Sequence, residues 1–91
     1  MVTKDIGMVK VLGPGCPRCH ETRQLVFNAL AELNIAADVQ EVSDGAEMAR
    51  LGVRYTPAVI VGNEILVQGR IPKFTELKRW FLERVQTSPG T

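Results

Sequence analysis

Apolar positions fall along this chain in short blocks, each closed by a recognisable stop. Met8-Val9-Lys10-Val11-Leu12 is a β-rich run ended by Gly13-Pro14-Gly15, which predicts a strand. From Pro17 onward Leu25, Val26, Ala29, Leu30 and Leu33 recur at helical spacing as one apolar stripe, and Asn34 closes that helix. Asp38-Val39-Gln40-Glu41-Val42 alternates and predicts a second strand. Asp44 followed by Glu47 resembles a capping box with Asp in the Ser/Thr place, so a short helix to Leu51 with a Gly52 stop follows. Ala58-Val59-Ile60-Val61 is a third strand, Gly62-Asn63-Glu64 a tight connection and Ile65-Leu66-Val67-Gln68 the returning arm of a hairpin. Gly69-Arg70-Ile71-Pro72 leads into a last helix whose Phe74, Leu77, Trp80, Phe81 and Val85 are read as core and flank. Its N-cap is not legible, because neither Ile71 nor Lys73 is a favoured capping residue.

The predicted order is β-α-β-α-β-β-α. A connection long enough to carry a helix makes the first two strands parallel through a right-handed crossover. The hairpin then completes a four-stranded mixed sheet with helices on both faces, an α/β fold. The chain reads as a single domain over residues 1–91, with 1–6 and 87–91 expected to be loose ends.

Composition narrows the function classes. Hydrophobic residues make up 45% of the 91 and charged residues 23%, which is ordinary for a small globular domain. Eleven Lys and Arg against ten Asp and Glu give no electrostatic case for nucleic acid. No apolar run is long enough to span a bilayer, so no membrane role is expected. The first seven residues lack the apolar stretch of a secretory signal, and a cytoplasmic, reducing location is the expectation.

The chemistry lies in Gly13-Pro14-Gly15-Cys16-Pro17-Arg18-Cys19-His20, where the first strand gives way to the first helix. It holds both cysteines of the chain. A Cys-x-x-Cys pair at that junction is the pattern of a redox site. Pro17 suits the first helical position, which leaves Cys16 at or beside the N-cap, where unpaired N–H groups and the helix dipole favour a thiolate. Cys19 lies one turn further in on the same face. Cys16 is therefore expected to attack and Cys19 to resolve. A purely structural disulfide is a poor alternative, since closing so short a loop gives only about 2 kcal/mol in the chain-entropy model. Arg18 either lowers the Cys16 pKa or points into solvent, and His20 either tunes the couple or does nothing particular.

Element order, Cys16-Pro17-Arg18-Cys19 after the first strand and Tyr55-Thr56-Pro57 before the third together resemble the thioredoxin/glutaredoxin superfamily. The lead-in Gly-Pro-Gly-Cys-Pro-x-Cys and the size look most like its small prokaryotic thioredoxin-like redox-active disulfide proteins. The resemblance covers roughly residues 8 to 85 and implies a minimal thioredoxin-like fold. It implies a thiol–disulfide oxidoreductase, most readily a protein disulfide reductase, with Cys16 and Cys19 catalytic and Pro17, Arg18, Thr56 and Pro57 supporting them. It implies a cis Thr56–Pro57 bond that exposes the Thr56 backbone to an extended partner. The implied partners are disulfide-containing proteins and an external, flavin-dependent reductase; no bound cofactor is implied, and the chain is expected to be a monomer.

The chain departs from the family in three places. Gly15 stands where thioredoxins carry tryptophan. Lys10 stands where they carry a buried aspartate, which leaves no named proton acceptor for Cys19. Gly69-Arg70-Ile71-Pro72 replaces the glutathione-gripping residues of glutaredoxins. Arg54, Arg70 and Lys73 border the expected site and suggest a cationic rim for acidic partners. The rival function is a metal carrier or sensor, because Cys16, Cys19 and His20 at i, i+3 and i+4 share a helix face. Against it, a closed zinc site wants four ligands, and no second cysteine pair exists.

Overall fold

The computed structural model describes the backbone of residues 2–15 and 17–89 and the side chains of residues 4–15 and 17–85. Cys16, to which the sequence assigns the attacking thiol, lies outside the described residues, as do Met1, Gly90 and Thr91. The chain runs β1 (Val2–Leu12), α1 (Pro17–Leu33), β2 (Ala36–Val42), α2 (Gly45–Arg50), β3 (Ala58–Val61), β4 (Glu64–Gln68), α3 (Phe74–Arg84) and β5 (Gln86–Pro89). Within the sheet the order is β2-β1-β3-β4, with β5 pairing β1 off that path. Strands β1 and β2 are parallel, as a helical crossover requires, and β1–β3 and β3–β4 are antiparallel. The four-stranded mixed sheet expected from the sequence is thus the centre of the fold.

Alternation along the strands sorts side chains onto two faces. Val9, Val11, Val59, Val61 and Val67 point to one, where they pack with Val26, Ala29 and Leu30 of α1 and Leu77 and Phe81 of α3. Leu25 and Leu33 of the α1 stripe join that core from its margin, as do Phe74, Trp80 and Val85. Leu12, Ala58 and Ile60 point to the other face, against Val53 and the partly buried Met48 and Leu51. α1 and α3 therefore cover one side and α2 the other.

Local stops act as their chemistry dictates. Asn34 takes a left-handed φ of 57° after α1. Asp44 caps α2 by accepting the Ala46 N–H at 3.1 Å. The start of α3 works differently. Lys73 occupies the N-cap and has no acceptor to offer, so Glu76 reaches back and accepts the Lys73 N–H at 2.9 Å. Glu76 also takes both Arg70 nitrogens, at 2.8 and 3.0 Å.

Residues 2–6 and 87–89 correct the expectation of loose ends, while Met1, Gly90 and Thr91, which shared it, lie outside the described residues. β1 begins at Val2, and its first half pairs antiparallel with β5 from Val2↔Pro89 to Asp5↔Gln86. Ile6 is buried in the main core. The register of β1 on β2 shifts between Asp5 and Gly7, where Gly7 has a φ of +81° and its N–H donates to Asp5 Oδ1 at 2.6 Å. That glycine break is why the apolar run starts only at Met8 in the sequence.

Candidate active site

The carboxyl ends of β1 and β2 meet where the Gly13 N–H donates to the Val42 carbonyl at 2.9 Å. Gly15, with a φ of +90°, turns the chain upward, and α1 starts at Pro17. Proline suits that first position because its ring presets φ and the missing N–H would have had no helical partner. Arg18 and His20 are exposed; Cys19 is buried, with 7% of its surface accessible. The Arg18 carbonyl accepts the hydroxyl of the fully buried Thr22 at 2.9 Å, tying the first turn to the second. No acidic side chain lies in the first turn of α1, so nothing there opposes negative charge at the helix start.

Close packing explains Gly13. A Cβ built on it would overlap Cys19 Sγ, lie 3.1 Å from Cys19 Cβ and 3.8 Å from Thr56 Cβ. Glycine is what lets the Cys19 thiol lie against the end of β1 with Thr56 beside it. Thr56 is half-buried and Pro57 fully buried, and the peptide bond between them is cis. The structure thus brings Cys19, Thr56 and Pro57 together around Gly13.

An opening flanks the same thiol. An open cavity of about 160 Å³ is lined by Val11, Gly13, Gly15, Cys19, His20, Glu41 and Ser43. Glu41, the register partner of Val11, stands on the α1 side of the sheet and receives Arg23 at 3.1 Å. Lys10 lies on the opposite face with its partner Ile60 and is half-buried. Among the described residues, no group of three His, Cys, Asp or Glu side chains is placed to hold a metal ion.

The loop before Pro57 is held from β4. Gln68 Oε1 accepts the Arg54 N–H at 2.9 Å and the Tyr55 N–H at 3.4 Å, while the Gly69 N–H donates to the Pro57 carbonyl at 3.0 Å. Nothing in the sequence singled out Gln68, because this contact joins residues thirteen and fourteen apart. The cationic rim is narrower than Arg54, Arg70 and Lys73 suggested. Arg70 is engaged bidentately by Glu76, whose carboxyl that guanidinium and the Lys73 N–H hold down at about 2.

Comparison with known proteins adds a family to this geometry. Residues 8–82 match the family model of a thioredoxin domain. The chain is 37% identical over 71 residues to a thioredoxin of Methanocaldococcus jannaschii, covering 78% of this chain and 81% of the relative. It is 24% identical over 71 residues to a thioredoxin of Methanothermobacter thermautotrophicus, covering 78% and 92%.

Proposed function

The chain belongs to the thioredoxin family and is a thiol–disulfide oxidoreductase, and within that activity we propose that Cys16 attacks and Cys19 resolves. The observation that carries this order is burial. Cys19, at 7% exposure, is closed to a partner as bulky as a protein disulfide, whereas Gly15 and Pro17, the chain neighbours of Cys16, are both exposed.

In the forward direction the Cys16 thiolate attacks one sulfur of the partner's disulfide. The other sulfur leaves as a thiolate and takes a proton. The Cys19 thiolate then attacks Cys16 Sγ, releases the partner's second thiol and leaves a Cys16–Cys19 disulfide. Two electrons have passed to the partner, and a two-electron reductant restores the dithiol. We assign that task to an external flavin-dependent reductase, on the family's habit. Pro17 and Arg18 favour the thiolate at the helix start, through the N1 position and a first-turn cation. Thr56 and Pro57 form the edge on which an extended stretch of the partner lies. Bonds fall on Arg54 and Tyr55 before Thr56 and on Pro57 after it, which suits an edge held ready for main-chain pairing. Among the described residues no helix is long and apolar enough to cross a membrane. We propose a monomer working as a reductant in the cytoplasm.

Steady-state reduction of a protein disulfide tests the order. Cys16→Ser is expected to abolish turnover, and Cys19→Ser to stop after one event per molecule. Full turnover by Cys16→Ser would overturn the assignment.

A further inference from the structure

Gln68 ends β4 opposite Ala58, so its side chain rises on the α2 face of the sheet, beside the loop that enters β3. That loop, residues 51–57, lies between α2 and β3 and forms neither helix nor strand. One side-chain oxygen accepts two consecutive amides from it, Arg54 N at 2.9 Å and Tyr55 N at 3.4 Å. The next residue completes the clamp. Gly69 bonds the Pro57 carbonyl, and its φ of +85° and lack of a Cβ let Tyr55 Cβ sit against it, at 3.1 Å from where that atom would stand. Thr56 is thus bracketed, with both preceding amides fixed to a side chain and the following carbonyl fixed to backbone.

We propose that Gln68 is a positioning residue for substrate capture: its amide oxygen sets the Arg54–Tyr55 backbone so that Thr56 meets an extended partner in a fixed orientation. This rests on the reading that the partner pairs with the Thr56 backbone. A loop without the acceptor gives those two N–H groups to water and must be ordered at each encounter, which costs affinity and leaves the sulfur chemistry untouched.

The test uses the full chain with an uncharged peptide disulfide, comparing Gln68→Met, which keeps length but loses the acceptor, with Gln68→Glu, which keeps it. For Gln68→Met, amide hydrogen exchange at Arg54 and Tyr55 is expected to quicken. KM should rise about three- to tenfold with kcat unchanged, the range set by losing a pair of exposed hydrogen bonds. Gln68→Glu is expected to restore both. A small aliphatic disulfide without peptide backbone should be reduced by all three proteins at one rate. Unchanged exchange, unchanged KM, or equal behaviour of Met and Glu would overturn the proposal. The underlying reading is checked separately on the unmodified protein with a peptide N-methylated beside its cysteine. If N-methylation leaves KM unchanged, main-chain pairing at Thr56 falls; if it raises KM while Gln68→Met does not, only the role of Gln68 falls.

Discussion

Among the described residues, twelve buried side chains from Ile6 to Phe81 form one cluster between the sheet and α1 and α3, whereas the cluster on the α2 side has four, Leu12, Val53, Ala58 and Ile60. α2 itself buries none of its residues and is six residues long. The two faces therefore do different work. The thick side supplies most of the apolar burial that a domain of this size needs, and the thin side leaves the loop of Arg54, Tyr55 and Thr56 to be held by polar contacts from Gln68 and Gly69. Cys19 sits where the two meet, its helix anchored in the large core and its thiol against Gly13.

The sharpest way to break the contrast is truncation on each face. Phe81→Ala removes a fully buried ring from the main cluster and should cost about 3–5 kcal/mol. Val53→Ala on the thin face should cost only about 1–2 kcal/mol. Denaturant titration of both proteins measures the difference, and equal losses would erase the distinction. Next in size is Gly13→Ala at the junction. The added methyl must displace the Cys19 thiol, so overpacking of about 1–3 kcal/mol is expected. Turnover should fall at least about tenfold, because resolution needs the two sulfurs in register. Wild-type turnover by Gly13→Ala would deny that this contact sets the thiol.

The smallest effect lies away from both cores. Glu76 is held at about 2 by Arg70 and the Lys73 N–H, below its ordinary 4.5. A depressed carboxyl stabilises the fold above its ordinary value and loses that contribution as pH falls from about 4.5 through about 2. Glu76→Gln should therefore flatten the stability profile between those limits and leave it unchanged in shape near neutrality. Because the pair is exposed, added salt should shrink the effect. An acid profile identical to wild type would remove the Arg70–Glu76 contribution.

What could be read from the sequence was whatever is decided locally. Asp44, Asn34, Gly52 and Pro17 act on backbone groups within a turn of themselves, and the stripes of α1 and α3 are periodic. The pairing of β1 with β5 was not legible. It joins the two ends of the chain, and Gln86, Thr87 and Ser88 carry no apolar alternation to announce a strand. The α3 start was illegible for a different reason, since the capping group is not on Lys73 but three residues on, at Glu76. At the site, the sequence named Cys19, Thr56 and Pro57, which the structure brings together. It did not name Gln68 or Glu41, whose parts depend on which strand ends beside which loop. Arg70, expected on a cationic rim, is claimed by a carboxylate on the following helix.

The division of labour between the two sulfurs is tested most directly by trapping. Cys19→Ser, reduced and then mixed with a disulfide-bonded protein, is expected to give a one-to-one covalent adduct by intact mass, released by dithiothreitol and mapped by peptide digestion to Cys16. An adduct at Cys19 in the Cys16→Ser protein, or none in Cys19→Ser, would contradict it.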